Sequence, residues 1–138
     1  MPNQVKVEIE GNHIPNVLDV KYGLDCAKDT NGAPVDAKPR LASIIITRRS
    51  DETTDFWAWA LRPYQEDFKS GVITFLDPRK ADTTLKTVEW KDGFLKSYSE
   101  VVPNVDTDRN APQVETLEIS ASTITINGVE WQAGKTWI

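Results

Sequence analysis

The stretch Ile124-Thr125-Ile126-Asn127-Gly128-Val129-Glu130-Trp131 decides the fold class. Asn-Gly is the pair that two-residue hairpin loops favour, because both central positions need a positive φ. On either side apolar and polar residues alternate, which is the period of a strand with one buried face. The stretch therefore predicts two antiparallel strands joined by a tight turn.

The same period runs outward from this hairpin. Residues 113–126 alternate through Leu117, Ile119 and Ala121, and residues 83–90 place Leu85, Val88 and Trp90 as the apolar set. Asp92-Gly93 then offers either a tight hairpin or a bulge, with 94–102 extended beyond it. A polar stretch over 103–112 reads as a loop, and 72–76 reads as a strand stopped by Asp77-Pro78. Near the start, Val5, Val7 and Ile9 alternate with Lys6, Glu8 and Glu10 before a turn at Gly11-Asn12. A second strand follows over about 14–24, with Val20, Tyr22 and Leu24 on one face. Residues 41–47 carry three consecutive isoleucines, so this strand is buried on both faces or presents one of them to a partner.

One segment has the other period. Residues 50–61 read as a helix, capped by Ser50 or Asp51 and with Asp51, Glu52 and Asp55 near its positive end. Pro63 ends it. Phe56, Trp57, Trp59, Ala60 and Leu61 make it apolar nearly all round, so it needs cover on more than one side. Core packing accounts for Phe56, Trp57 and Trp59, and so does insertion into a pocket on a neighbouring subunit, since tryptophan anchors interfaces. The sum is a mainly β chain: a barrel or sandwich of about seven to eight strands with one flanking helix. No repeat or linker divides it, so 1–138 reads as a single domain.

Composition narrows the function. The chain has 138 residues, 39% of them apolar and 27% charged, enough for a core and a soluble surface. Sixteen basic and twenty-one acidic residues give a formal charge of −5, which argues against nucleic acid as the main partner. No apolar run approaches the roughly 20 residues of a membrane-spanning helix. The first residues show no basic-then-apolar signal pattern, so the expectation is folding in the cytoplasm and export without a cleaved signal. Cys26 is the only cysteine, which excludes an internal disulfide and a Cys-rich zinc site.

Chemistry-bearing constellations are missing. His13 is the only histidine and sits beside a turn; no Gly-x-Ser-x-Gly elbow or phosphate-cradling glycine loop is present. Asp106, Asp108 and Asn110 have calcium-loop spacing, but Ala111 replaces the required glycine and Leu117 the closing glutamate. Asp51 and Asp55 are more simply helix-start charges than a glycosidase pair. The reading is therefore a non-enzyme with no cofactor and no metal.

The order of elements carries a resemblance over nearly the whole chain. It runs from Asn16-Val17-Leu18-Asp19-Val20-Lys21-Tyr22 to the polar loop Asp29-Thr30-Asn31-Gly32-Ala33-Pro34 and on to Lys38-Pro39-Arg40. Thr54-Asp55-Phe56-Trp57-Ala58-Trp59 follows, then Gly71-Val72-Ile73-Thr74-Phe75, then 86–98 and 117–122. This order resembles the Hcp (TssD) tube proteins of type VI secretion, particularly those of Bacteroidetes. The resemblance implies a β-barrel with one helix, closed into hexameric rings that stack into a tube within a contracting sheath. It implies further copies of the same chain, sheath, baseplate and spike proteins, and effector cargo in a polar lumen as partners. The loop with Asp29, Thr30, Asn31, Gly32, Ala33, Pro34, Lys38 and Arg40 would reach the adjacent ring. Phe56, Trp57, Trp59, Trp131 and Trp137 are the subunit-interface candidates, with Trp131 and Trp137 in a tail that departs from the family ending and reads as an added contact arm. A phage-like tail-tube protein and a monomeric β-sandwich ligand-binding module are the alternatives.

Overall fold

A computed structural model describes residues 5–25, 40–77, 79–80, 83–104 and 113–132. Nine strands, one α-helix and one short 3-10 turn lie among them: β1 (Val5–Ile9), β2 (Asn12–Ile14), β3 (Val17–Asp25), β4 (Arg40–Arg49), α1 (Asp55–Ala60), the turn Gln65–Asp67, β5 (Lys69–Leu76), β6 (Thr84–Val101), β7 (Val114–Ser120), β8 (Thr123–Ile126) and β9 (Val129–Gln132). All pairings are antiparallel, in the order β2-β1-β5-β6-β7-β4-β3, with β8 and β9 continuing from β6. The mainly β class with a single small helix is therefore as expected, with more strands than the seven or eight read from the sequence.

β6 organises the molecule. Its first half pairs with β5 and β8, and its second half with β7. One strand thus belongs to two sheets that face each other, a corner device of packed sheets. Asp92-Gly93 is the bend: Asp92 has φ 56°, and the register shifts on both sides of it. It is a bulge in one long strand and not a hairpin. Residues 113–126 break opposite the bend, at Ala121-Ser122. Ser122 N and Oγ both donate to Lys91 O at 3.1 Å, which pins the two breaks together.

Trp90 fills the inside of this corner. It is 1% exposed, and its Nε1–H donates to Lys69 O at 3.1 Å. Gly71 and Gly93 leave room for the ring: a Cβ at Gly71 would lie 2.4 Å from Trp90 Cη2, and one at Gly93 2.7 Å from Nε1. Rows of paired residues build the core outward from here. Ile9, Gly71, Trp90 and Ile124 align across one sheet, as do Val7, Ile73, Val88 and Ile126. In the other sheet Tyr22, Ile44, Ile119 and Leu95 form one row, and Val20, Ile46, Leu117 and Tyr98 the next. β3 folds back towards β1, and the Tyr22 ring lies 6.1 Å from that of Phe75.

Three local expectations change. The Asn127-Gly128 hairpin forms with φ 47° and 88°, but the first turn is Glu10-Gly11 (φ 52° and 79°), one residue earlier than expected. Glu10 accepts the left-handed backbone because its own N–H donates to Ser70 O at 2.9 Å and its Oε1 accepts from Ser70 N at 2.6 Å. The strand expected over 14–24 is split at Pro15-Asn16, where Asn16 has φ 65°. Of the three isoleucines, Ile44 and Ile46 are fully buried, whereas Ile45 is half-buried on the outer face.

Candidate interaction surface

The region around α1 is built from a buried charge. Arg48 and Glu115 are directly paired across β4 and β7, on the side that faces the core. Arg48 Nη1 donates to Glu115 Oε1, and the two side chains are 1% and 3% exposed. Three further bonds surround the pair: Arg48 Nε donates to Pro15 O at 3.2 Å, Arg48 Nη2 to Asp51 Oδ2 at 2.8 Å, and Tyr98 Oη to Glu115 Oε2 at 2.6 Å. A buried ion pair is tolerated when the charges are paired and further hydrogen bonds surround them, as here.

The charges respond accordingly. Burial alone would weaken Arg48's hold on its proton, but the hydrogen bonds and charges of Asp51 and Glu115 outweigh it and raise the guanidinium further. The Arg48 hydrogen bond, with that from Thr53 N, holds Asp51 below the usual carboxylate range. Burial, then the Glu115 hydrogen bond, pushes the Tyr98 hydroxyl well up. An arginine fixed in its charged form and a tyrosine kept protonated make a clamp, not an acid–base pair.

This clamp sets the helix. Asp51 is committed to Arg48 and to Thr53 N (3.0 Å), and Thr53 Oγ1 accepts from Asp55 N at 3.3 Å. α1 therefore starts at Asp55 rather than Ser50; its N-cap, Thr54, makes no side-chain cap bond. The six-residue helix has two faces. Phe56 and Trp59, three apart, are 7% and 4% exposed, with the Arg48 guanidinium 5.0 Å from the Phe56 ring centre. Trp57 and Leu61, four apart, are 55% and 59% exposed. Trp57 meets Tyr98 edge-on at 6.0 Å, above a shallow groove reaching Ser99 and Glu100. Tyr64, Val101 and Val102 extend the exposed apolar set around the helix end and the end of β6.

Two further hollows lie apart from this face. One, of about 330 Å³, lies between α1, the β1–β2 hairpin and the start of β5, with Ile9, Ile14, Phe56 and Trp59 among its walls. The other, of about 510 Å³, opens where β3 approaches β1, β5 and β6, beside exposed Leu18 and Leu85. Among the described residues no group of three or more His, Cys, Asp or Glu side chains is placed to hold a metal ion, and no helix is long and apolar enough to cross a membrane.

The sequence candidates divide as follows. Phe56, Trp57 and Trp59 come together on α1, two inward and one outward. Arg40 opens β4 and Trp131 lies in β9. Asp29, Thr30, Asn31, Gly32, Ala33, Pro34, Lys38 and Trp137 lie outside the described residues. Sequence reasoning missed Arg48 and Glu115. The signal was present: one more step of two from Ile44 and Ile46 reaches Arg48, and one step back from Ile119 and Leu117 reaches Glu115.

Comparison with known proteins agrees with this architecture. The family profile "Hemolysin coregulated protein Hcp (TssD)" matches residues 1–137. No curated protein matches the chain. Hcp1 from Flavobacterium johnsoniae superposes with a TM-score of 0.76 at 26% identity, over 94% of this chain and 98% of that one. Hcp1 from Salmonella typhimurium gives 0.68 at 14% identity, over 91% and 86%. A chain of the PVC extracellular contractile injection system, from its sheath–tube complex in the extended state, shares the fold with a TM-score of 0.55 at 20% identity, over 91% and 89%. With its profile spanning residues 1–137 and its strands arranged as in these structures, the chain belongs to the Hcp (TssD) family and is a structural tube subunit of a contractile secretion apparatus.

Proposed function

We propose that this chain acts as a single non-enzymatic domain over 1–138, closing into hexameric rings that stack into a tube inside a sheath, with effectors carried in the lumen. The observation that carries the reading is the family match over residues 1–137. Three physical features support it. Trp57, Leu61 and Tyr64 are more than half exposed around one short helix, and contiguous apolar surface of this kind marks an interaction face. Among the described residues β2 pairs only with β1 and β9 only with β8, so the two ends of one sheet keep unpaired edges for neighbours. The outer face of the other sheet carries the rows Lys21–Ile45–Glu118–Ser97 and Asp19–Thr47–Thr116–Ser99, polar but for Ile45, as the wall of a wet lumen requires.

In this reading the 29–40 loop reaches the next ring and Trp57, with Trp131 and Trp137, serves contacts between subunits. Identical subunits joined through unlike patches give closed rings or open stacks. The test is the solution mass of the purified protein by light scattering after size exclusion, with negative-stain images of the same peak. Particles about six times the monomer mass with a central hole are expected. A monomer at high concentration would overturn the reading and favour a ligand-binding module.

A further inference from the structure

Beside Trp57, two ring walls and a carboxylate meet without a basic neighbour. The Trp57 and Tyr98 rings lie 6.0 Å apart at an interplanar angle of 66°, which makes an angled corner and not a stack. Thr53, Thr54, Ser99 and Glu100 complete the lining of the shallow groove at this corner. Among these described residues none is basic, and every polar side chain carries an oxygen able to accept a hydrogen bond.

The corner is held from within. Tyr98 Oη donates to Glu115 Oε2 at 2.6 Å, which fixes its ring. Gln113 Nε2 donates to Glu100 Oε2 at 2.9 Å, and chiefly this bond holds Glu100 below the usual carboxylate range. Glu100 is exposed, so a cation brought from outside reaches it. Arg48 is 1% exposed, is shared between Glu115 and Asp51, and does not line the groove.

An exposed tryptophan face beside an ionised carboxylate attracts a cation through the ring quadrupole and the charge together. Hydroxyl acceptors around the pair favour arginine over lysine: a planar guanidinium stacks on an aromatic face and turns its five donors to surrounding oxygens. The net charge of −5 makes two copies of this chain repel each other and attracts a basic partner. We propose that the groove of Trp57, Tyr98 and Glu100 is a docking site for an arginine side chain on a protein partner other than this chain. Leu61 and Tyr64 are also exposed but do not line the groove, so a neighbouring copy seated on them leaves the Tyr98 side of Trp57 open. The inference goes beyond the ring reading and is tested separately from it.

The probe is the capped peptide acetyl-Gly-Arg-Gly-amide, beside its citrulline counterpart, which keeps the shape and loses the charge. Binding is followed by fluorine NMR of fluorotryptophan-labelled protein, with the Trp57 signal identified through Trp57→Phe. The arginine peptide should shift that signal saturably, in rings and in dilute subunits alike, and the citrulline peptide should not. Glu100→Gln should weaken binding about two- to fivefold, as loss of one exposed charge contact would. Glu89→Gln removes the same charge from the half of β6 that pairs with β5 and β8, and should leave binding unchanged. Equal response to the two peptides, or equal weakening by the two variants, would overturn the site and leave only general attraction to an acidic chain. Response in subunits but not in rings would overturn the outside partner, because a neighbouring copy then covers the groove. Should wild type form no rings, the ring reading fails and the peptide comparison still decides the groove. Should Glu100→Gln not fold, the citrulline comparison on wild type decides it.

Discussion

Trp90 and Trp59 are both almost wholly buried, yet they are held in opposite ways. Trp90 lies on two glycines at the β6 corner, with its N–H bonded to Lys69 O. Trp59 lies on the inner face of a six-residue helix, its N–H without an acceptor among the described residues and a hollow at its side. The same residue type, with Lys69 near both, is thus a bonded piece of core in one place and a buried ring with an unbonded donor in the other. The corner closes the subunit on itself, and the helix leaves Trp57 and Leu61 exposed, the face proposed above for a neighbour. Substitutions at closed positions should therefore change folding, and substitutions at open ones should change assembly.

The Arg48–Glu115 pair is the closed extreme, and breaking it should have the largest effect. Glu115→Ala leaves a buried guanidinium short of its main partner and should cost about 3–5 kcal/mol in urea unfolding. Arg48→Met together with Glu115→Leu should recover most of that loss, because neither buried charge remains. A double variant as unstable as the single one would mean that the charges themselves, and not merely their pairing, hold the α1 segment.

Gly71→Ala attacks the other closed region. The added methyl would fall 2.4 Å from the Trp90 ring and 2.7 Å from Glu8 O, a backbone atom with little freedom to move. Overpacking of this kind costs about 1–3 kcal/mol. A midpoint matching wild type would show that Trp90 can shift, and would erase the contrast with Trp59.

The closed parts were the more legible in sequence. Period-two alternation found most of the strands, and Asn127-Gly128 located its hairpin, because both signals depend only on neighbours along the chain. Asp92-Gly93 stayed ambiguous between hairpin and bulge. The choice depends on Trp90 needing the space above Gly71, twenty-two residues away in sequence from Gly93. The helix was read too long for a similar reason. Asp51 reads locally as a cap, but Arg48 takes its carboxylate from within the fold. Which of the three helix aromatics faces outward was not legible: spacing puts Phe56 with Trp59 and Trp57 with Leu61, but with both pairs apolar only the packing of α1 on β6 decides that Trp57 is the exposed one.

Trp57→Ser probes the open face and should have a small effect on the subunit. Trp57 is 55% exposed, and its edge-on contact with Tyr98 is worth about 0.5–1.5 kcal/mol. The urea midpoint should drop by no more than that contact provides, while the ring fraction at fixed concentration falls clearly. A large loss of stability with assembly unchanged would move Trp57 into the closed class.

The smallest effect belongs to pH. Asp51 is held below its ordinary value of 3.8, first by the Arg48 hydrogen bond and then by Thr53 N–H. A carboxyl whose folded pKa is depressed binds its proton more weakly folded than unfolded. Its stabilisation is therefore complete above the unfolded value and is lost as pH falls through the folded one. Asp51 is about one-third exposed, so solvent screens much of the interaction. Urea midpoints of wild type and Asp51→Asn, followed from about pH 6 to about pH 3, should differ most at the upper end and converge on acidification. A difference that stays constant over that range would mean that Asp51 acts through its shape in the 51–55 turn, and that the charge on Arg48 is satisfied by Glu115 alone.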